Sequence, residues 1–127
     1  MQGIVIPIEQ KTEQNEFFRE VLFTTDSMQL VVMSLHPSED IGLETHGDVD
    51  QFLRVETGEV TVFLDGQEQT AKAGDSIIVP AGVAHNVVNR SSESKAKLYT
   101  IYTPPQHRDG TIHKTKAEAM LDEEDHA

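Results

Sequence analysis

The chain has 127 residues, is 37% apolar by composition and sets 22 acidic side chains against 10 basic ones, a formal charge of -12. That length allows one domain with a modest core, and the negative charge opposes nucleic acid and anionic membrane surfaces, so neither is an expected partner. There is no cysteine, which excludes a disulfide frame, a thiolate metal site and a cysteine nucleophile. The opening MQGIVIPIEQKTEQ reaches Glu9 and Lys11 before any long apolar run, and no segment approaches the roughly 18 apolar residues of a membrane span. A soluble cytoplasmic protein of one domain, residues 1–127, is the expectation.

Next in chain order, EQNEFFREVLFTT is ambiguous between a short helix and a strand, and Val21, Leu22, Phe23 and the two threonines after them tip it to extended. From Met28 onward, short apolar runs alternate with turn residues. MQLVVMSL is a β-branched run closed by HPSEDIG, and QFLRVETGEVTVFLDGQEQTA reads strand, Thr57-Gly58, strand, Asp65-Gly66, strand. Asp-Gly between apolar runs is a strong short-range hairpin signal. DSIIVPAGVAHNVVN gives a strand stopped by Pro80 and Gly82, then another, and AKLYTIYT supplies the last one. KTKAEAMLDEEDHA reads as the one helix, from about Thr115, with Asp122 to Asp125 as a frayed acidic tail. The pattern predicts an all-β sandwich or barrel with its core at about 28–103 and a C-terminal helix and acidic tail at about 114–127.

The stretch GLETHGDVDQ holds the first candidate site. If LETH is extended, Glu44 and His46 share a face. Gln51 has the wrong parity for an unbroken strand, but a turn or bulge at Gly47 to Asp50 resets its face, and Gln51, Leu53 and Val55 then form one inward column. His85, Val87 and Asn89 alternate onto a face in the same way. If the two hairpins oppose one another, Glu44, His46, Gln51 and His85 converge at one mouth. Two imidazoles and a carboxylate are the donor set that holds iron(II) with open positions, and Gln51 adds a neutral oxygen. Singly, each histidine reads more simply as a hydrogen-bonded rim residue, and Gln51 also fits as an outer group that orients a ligand. Gly58, Gly66, Gly74 and Gly82 read as turn residues.

Outside this set, YTPPQHRDGTIHK brings Tyr102, His107, Arg108 and His113 to the end of the last predicted strand. Tyr102 and His107 are candidates for a pocket wall, with Leu53 and Val87 beneath, while Arg108 and His113 read as parts of an exposed loop. Arg54, with Phe52 and Phe63, is read as outward-facing and as material for a subunit interface.

These residues carry a resemblance. GDSIIVPAGVAHNVVN matches, at Gly74, Pro80, Gly82, His85 and Asn89, every fixed position of the second motif of the cupin superfamily of small β-barrels. His46, Gln51 and Gly58 match the later spacing of its first motif, and the fifteen residues from Glu59 to Ala73 between the motifs are similar to the compact microbial version. The resemblance covers about Met28 to Thr103. It implies a double-stranded β-helix (jelly-roll) barrel, a homodimer, and one divalent metal ion at Glu44, His46, Gln51 and His85. Glu44 stands where cupins usually have their first histidine and Gln51 where they usually have glutamate. The number of ionised ligands is therefore unchanged, and the metal stays open among iron, manganese, zinc and nickel. A similar mixture of glutamine, glutamate and two histidines, in another order, occurs in zinc-dependent phosphomannose isomerases of the superfamily.

Three functions compete. The first is a metal-dependent enzyme acting on a small organic molecule: an iron-dependent dioxygenase, or a zinc or manganese enzyme of isomerase or lyase type. The second is a non-catalytic cupin that binds or senses a small ligand. The third is a degenerate site in a barrel used for association, since the fold alone does not choose.

Overall fold

The computed structural model describes residues 1–122. Helix α1 (Ile8–Gln14) precedes strands β1 (Arg19–Thr24), β2 (Gln29–Leu35), β3 (Asp50–Thr57), β4 (Glu59–Leu64), β5 (Gln67–Lys72), β6 (Ser76–Val79), β7 (His85–Val88), β8 (Ala96–Thr103) and β9 (Ile112–His113), and helix α2 (Lys116–Leu121) follows. Every strand pair is antiparallel. One sheet runs β6-β3-β8-β2-β1-β9 and the other β5-β4-β7. Isolated bridges from Asp40 to Val88 and from Glu44 to His85 lay the segment 40–44 along β7. This is a double-stranded β-helix, with the core between the sheets.

Alternation explains which side chains fill it. In β3, Gln51, Leu53 and Val55 are buried, Phe52 is half-buried and Arg54 is exposed. Val31, Met33, Leu35, Val60, Val62, Val87 and Leu98 complete a single apolar cluster with Leu53 and Val55. Side chains of this size contribute about 1.5–3 kcal/mol each when fully buried. Turn chemistry fixes the registers. Asp65 and Gly66 both have positive φ, at 50° and 81°, the requirement of a two-residue type I′ hairpin, and they join β4 to β5 with Leu64 opposite Gln67.

Three features differ from the sequence reading. Helix α1 was not expected. Its N-cap, Pro7, makes no side-chain cap bond and only Thr12 is buried, so the helix lacks both a capping signal and an apolar stripe; the Thr12 hydroxyl bond to Ile8 O and the Lys97 ammonium bond to Glu13 O hold it instead. AKLYTIYT is not the last strand, because β9 pairs with β1 through Arg19–His113 and Glu20–Ile112. His113 is consequently buried at 3% exposure, not part of an exposed loop. Helix α2 opens with a reciprocal capping box between Thr115 and Glu118. The acidic tail beyond Asp122, with His126, lies outside the described residues. Among those described, no helix is long and apolar enough to cross a membrane.

Candidate metal centre

Backbone pairing places two of the donors. Glu44 N–H donates to His85 O and His85 N–H donates to Glu44 O, each at 2.9 Å. Residues that exchange both bonds in an antiparallel pair stand directly opposite, with side chains on the same face. His46 is tied to the same loop by Gly82 N–H, which donates to His46 O at 2.7 Å. Asp50 closes the far side, its Oδ1 accepting from Ala81 N–H at 2.8 Å. The Gly and Pro punctuation of PAGVAH and Asp50 of GDVD thus dock two loops so that their ligand-type side chains meet.

Glu44, His46 and His85 each offer a donor atom, and these three atoms lie within 4.8 Å of one another. The His46 and His85 rings are 5.3 Å apart between centroids. His85 Nδ1 lies 2.9 Å from Val83 O; a carbonyl only accepts, so Nδ1 carries the proton and Nε2 keeps its lone pair. His46 Nε2 is 2.9 Å from Glu44 Oε2, yet this buried nitrogen has no partner in hydrogen-bond geometry. At metal bond lengths of about 2.0–2.2 Å, two donors at right angles stand about 3 Å apart. The His46–Glu44 separation is therefore also the spacing of two ligands on one cation.

Gln51 faces inward at 5% exposure. Its Nε2 donates to Thr100 Oγ1 at 3.0 Å, and its Oε1 is buried without a partner. Cross-strand from Gln51 is Tyr102, whose ring lies 6.2 Å from that of His46. A buried amide oxygen without a donor is an electron pair that a divalent ion can satisfy. Burial pushes the Glu44 carboxyl up, but the contact with His46 and the nearby positive groups, the Arg19 guanidinium among them, outweigh it and hold the group below the ordinary carboxylate value. An ionised carboxylate is the form that ligates.

The outer residues fall into place differently. Tyr102, 1% exposed, and His107, 6% exposed, form an edge-to-face pair at 5.2 Å with His107 Nε2 3.4 Å from the Tyr102 hydroxyl. Gln29 fixes this pair: fully buried, it donates to His107 O at 2.7 Å and accepts from His107 N–H at 2.9 Å. Leu53 and Val87 are packed in the core cluster. Asn89 closes the opposite end of β7, its amide donating to Leu35 O, His36 O and Ser94 O at 3.2, 3.1 and 2.8 Å. Sequence reasoning missed Gln29 and Arg19. The signal for Arg19 was its strand parity with Val21, which puts a cation on the inward face.

Residues 31–102 match the family described as Cupin domain. The chain is a cupin. Among curated proteins, this cupin is 43% identical over 126 residues to the Bacillus subtilis protein YrkC, covering 94% of its own length and 67% of that protein. It is 40% identical over 115 residues to protein L612 of Acanthamoeba polyphaga mimivirus, covering 87% and 71%. Among solved structures it is similar to BH2720 of Bacillus halodurans, with a TM-score of 0.92 at 43% identity over 94% of this chain and 95% of that one.

Proposed function

We propose that this cupin is a metal-dependent enzyme acting on a small organic molecule, with Glu44, His46, Gln51 and His85 as the protein ligands of one divalent ion. The observation that carries the reading is the cluster of donor atoms from Glu44, His46 and His85, all within 4.8 Å of one another, with the buried Gln51 Oε1 left without a partner and the Glu44 carboxyl held below its ordinary value. A divalent ion bound there supplies Lewis-acid polarisation of a substrate oxygen and, if it is iron(II), redox chemistry with dioxygen.

The chain's own residues prepare that chemistry. Val83 O fixes the His85 tautomer, and Thr100 turns the Gln51 amide so that its oxygen is the free end. Tyr102 and His107 hold a proton-bearing pair beside His46, suited to donating to or accepting from a substrate oxygen. The Glu44 side chain is 27% exposed, so it is the ligand a substrate meets from outside, while the apolar core beneath keeps water out. Two imidazoles and a carboxylate favour an iron-dependent dioxygenase; zinc or manganese in the same set serves isomerase- or lyase-type proton chemistry.

The test is water-proton relaxation of protein reconstituted with manganese(II). Enhanced relaxation from a fast-exchanging water, as an enzyme with an open coordination position requires, supports the proposal. Tightly bound manganese with no exchangeable water refutes it in favour of a closed, non-catalytic site.

A further inference from the structure

Glu44 belongs to two places. It is one of the three clustered donors, and it also lines a cavity of about 230 Å³ between the start of β1, the segment 41–44 and α2, walled further by Phe18, Ile41, Lys116 and Met120. The Glu44 side chain is 27% exposed, against 10% for that of His46. Helix α2 is therefore the outer wall of a space that reaches a ligand of the cluster. That wall is lightly built: α2 has six residues, and among the described residues Ala119 is the one it buries, while Met120 and Leu121 stay exposed. Elements that bury so little apolar surface open locally, without global unfolding.

The chain that enters α2 is pinned. Arg19 Nη1 donates to His113 Nδ1 at 3.3 Å across the β1–β9 pair, and Phe18 N–H donates to Lys114 O at 3.2 Å. Thr115 then follows in an extended conformation, φ −132° and ψ 160°, before the helix starts. A fixed strand, one extended residue and a short helix are the parts of a hinge and a flap. Polar contacts latch it at both ends. The Lys116 ammonium binds Asp40, which accepts from the Asn86 amide at 2.9 Å. The same amide accepts from Gly42 N–H at 2.9 Å, so this latch is tied to the segment that carries Glu44. At the far end, Asp122 Oδ2 accepts from His113 Nε2–H at 2.9 Å and pairs with Arg108 at 3.1 Å.

We propose that α2 is a hinged flap beside Glu44, closed by the Lys116–Asp40 and Asp122–His113 latches, and that its opening governs how fast a divalent ion enters and leaves the cluster. This regulation rests on the metal reading above, while the flap itself is testable without metal.

The chain has no cysteine, so Ala119→Cys places a single thiol under α2, with Met120→Cys as an exposed reference and Val87→Cys as a thiol in the barrel core. Each metal-free folded variant is reacted with a chromogenic disulfide reagent. Ala119→Cys is expected to react at least about tenfold more slowly than Met120→Cys and at least about tenfold faster than Val87→Cys, and about two- to fivefold faster again once Lys116→Met is added. Release of bound zinc to a chelating dye should quicken by that same factor in Lys116→Met over wild type, and uptake with it, leaving the equilibrium affinity unchanged. Ala119→Cys that reacts as fast as Met120→Cys has no closed state, and Ala119→Cys that reacts only as fast as Val87→Cys opens by global unfolding alone; either overturns the flap. Zinc release unchanged by Lys116→Met overturns the gating. A chain that takes up no zinc removes the metal reading and the gating with it, and the thiol rates alone then decide the flap.

Discussion

Gly58 offers a test of how the hairpin that carries Gln51 is held. The residue sits between β3 and β4 with φ at +83°. A Cβ added there would meet Lys95 O at 2.8 Å and Ala96 Cα at 3.2 Å, both backbone atoms that no rotamer change moves. Gly66 is its control, with φ at +81° and nothing within 4 Å of an added Cβ. Placing alanine in the left-handed region costs about 1–2 kcal/mol at either site. Only Gly58→Ala adds the overpacking term, about 1–3 kcal/mol. The difference between the variants is then about 2 kcal/mol, or roughly 6–10 °C in Tm for a chain of this size. Urea unfolding and thermal melts of Gly58→Ala and Gly66→Ala, each metal-free, measure it. Equal losses in the two variants would refute the close approach to β8 as the reason for glycine at position 58.

Asn89→Ala strands the carbonyls of Leu35, His36 and Ser94 and the N–H of Ser91; a loss of about 3 kcal/mol in urea unfolding is expected, with metal binding by the folded protein retained. Gln51→Leu removes the unpartnered oxygen and is expected to weaken metal affinity by about 10–100-fold, on the scale of losing a group that orients or supports a ligand, as read by competition with a chelating dye. The Asp40 carboxyl is held below its ordinary value of 3.8, first by its hydrogen bond from Lys116 and then by that from Asn86. A depressed folded value contributes stability above the unfolded value that is lost as pH falls through the folded one. Wild type should therefore exceed Lys116→Met in stability at pH 7 and pH 5, the gap closing as pH falls below the ordinary carboxyl value of 3.8; a gap that stays unchanged down to full protonation of the carboxyl would show that Lys116 acts by packing alone.

What was legible in the chain followed locality. The β3, β4 and β5 registers could be read because Thr57-Gly58 and Asp65-Gly66 carry their own turn chemistry, and the inward parity of Gln51, Leu53 and Val55 follows from a period of two. Glu44, His46 and His85 could be grouped because strand parity put them on inward faces and His46 and His85 stand at fixed positions of two motifs of one family, with Glu44 in place of the first motif's usual histidine. Arg19 and His113 escaped because their contact joins residues 94 apart through a two-residue strand, too short to have a pattern. Gln29 escaped for a similar reason: an amide in an apolar run reads as an interruption, and only the folded chain shows it clasping His107 from 78 residues away. Helix α1 is held by a bond from the β8 side chain of Lys97 and has no amphipathic signature of its own.

The most direct test of the metal centre is the metal content of the chain, measured by mass spectrometry on protein purified without a histidine tag or chelator, for wild type, His46→Ala and His85→Ala. About one equivalent of a single divalent metal in wild type, lost in both variants while each remains folded by circular dichroism, is the predicted result. Wild type that takes up no metal after iron(II), manganese, nickel and zinc have each been offered, or variants that retain it in full, would contradict the assignment of Glu44, His46, Gln51 and His85 as one site.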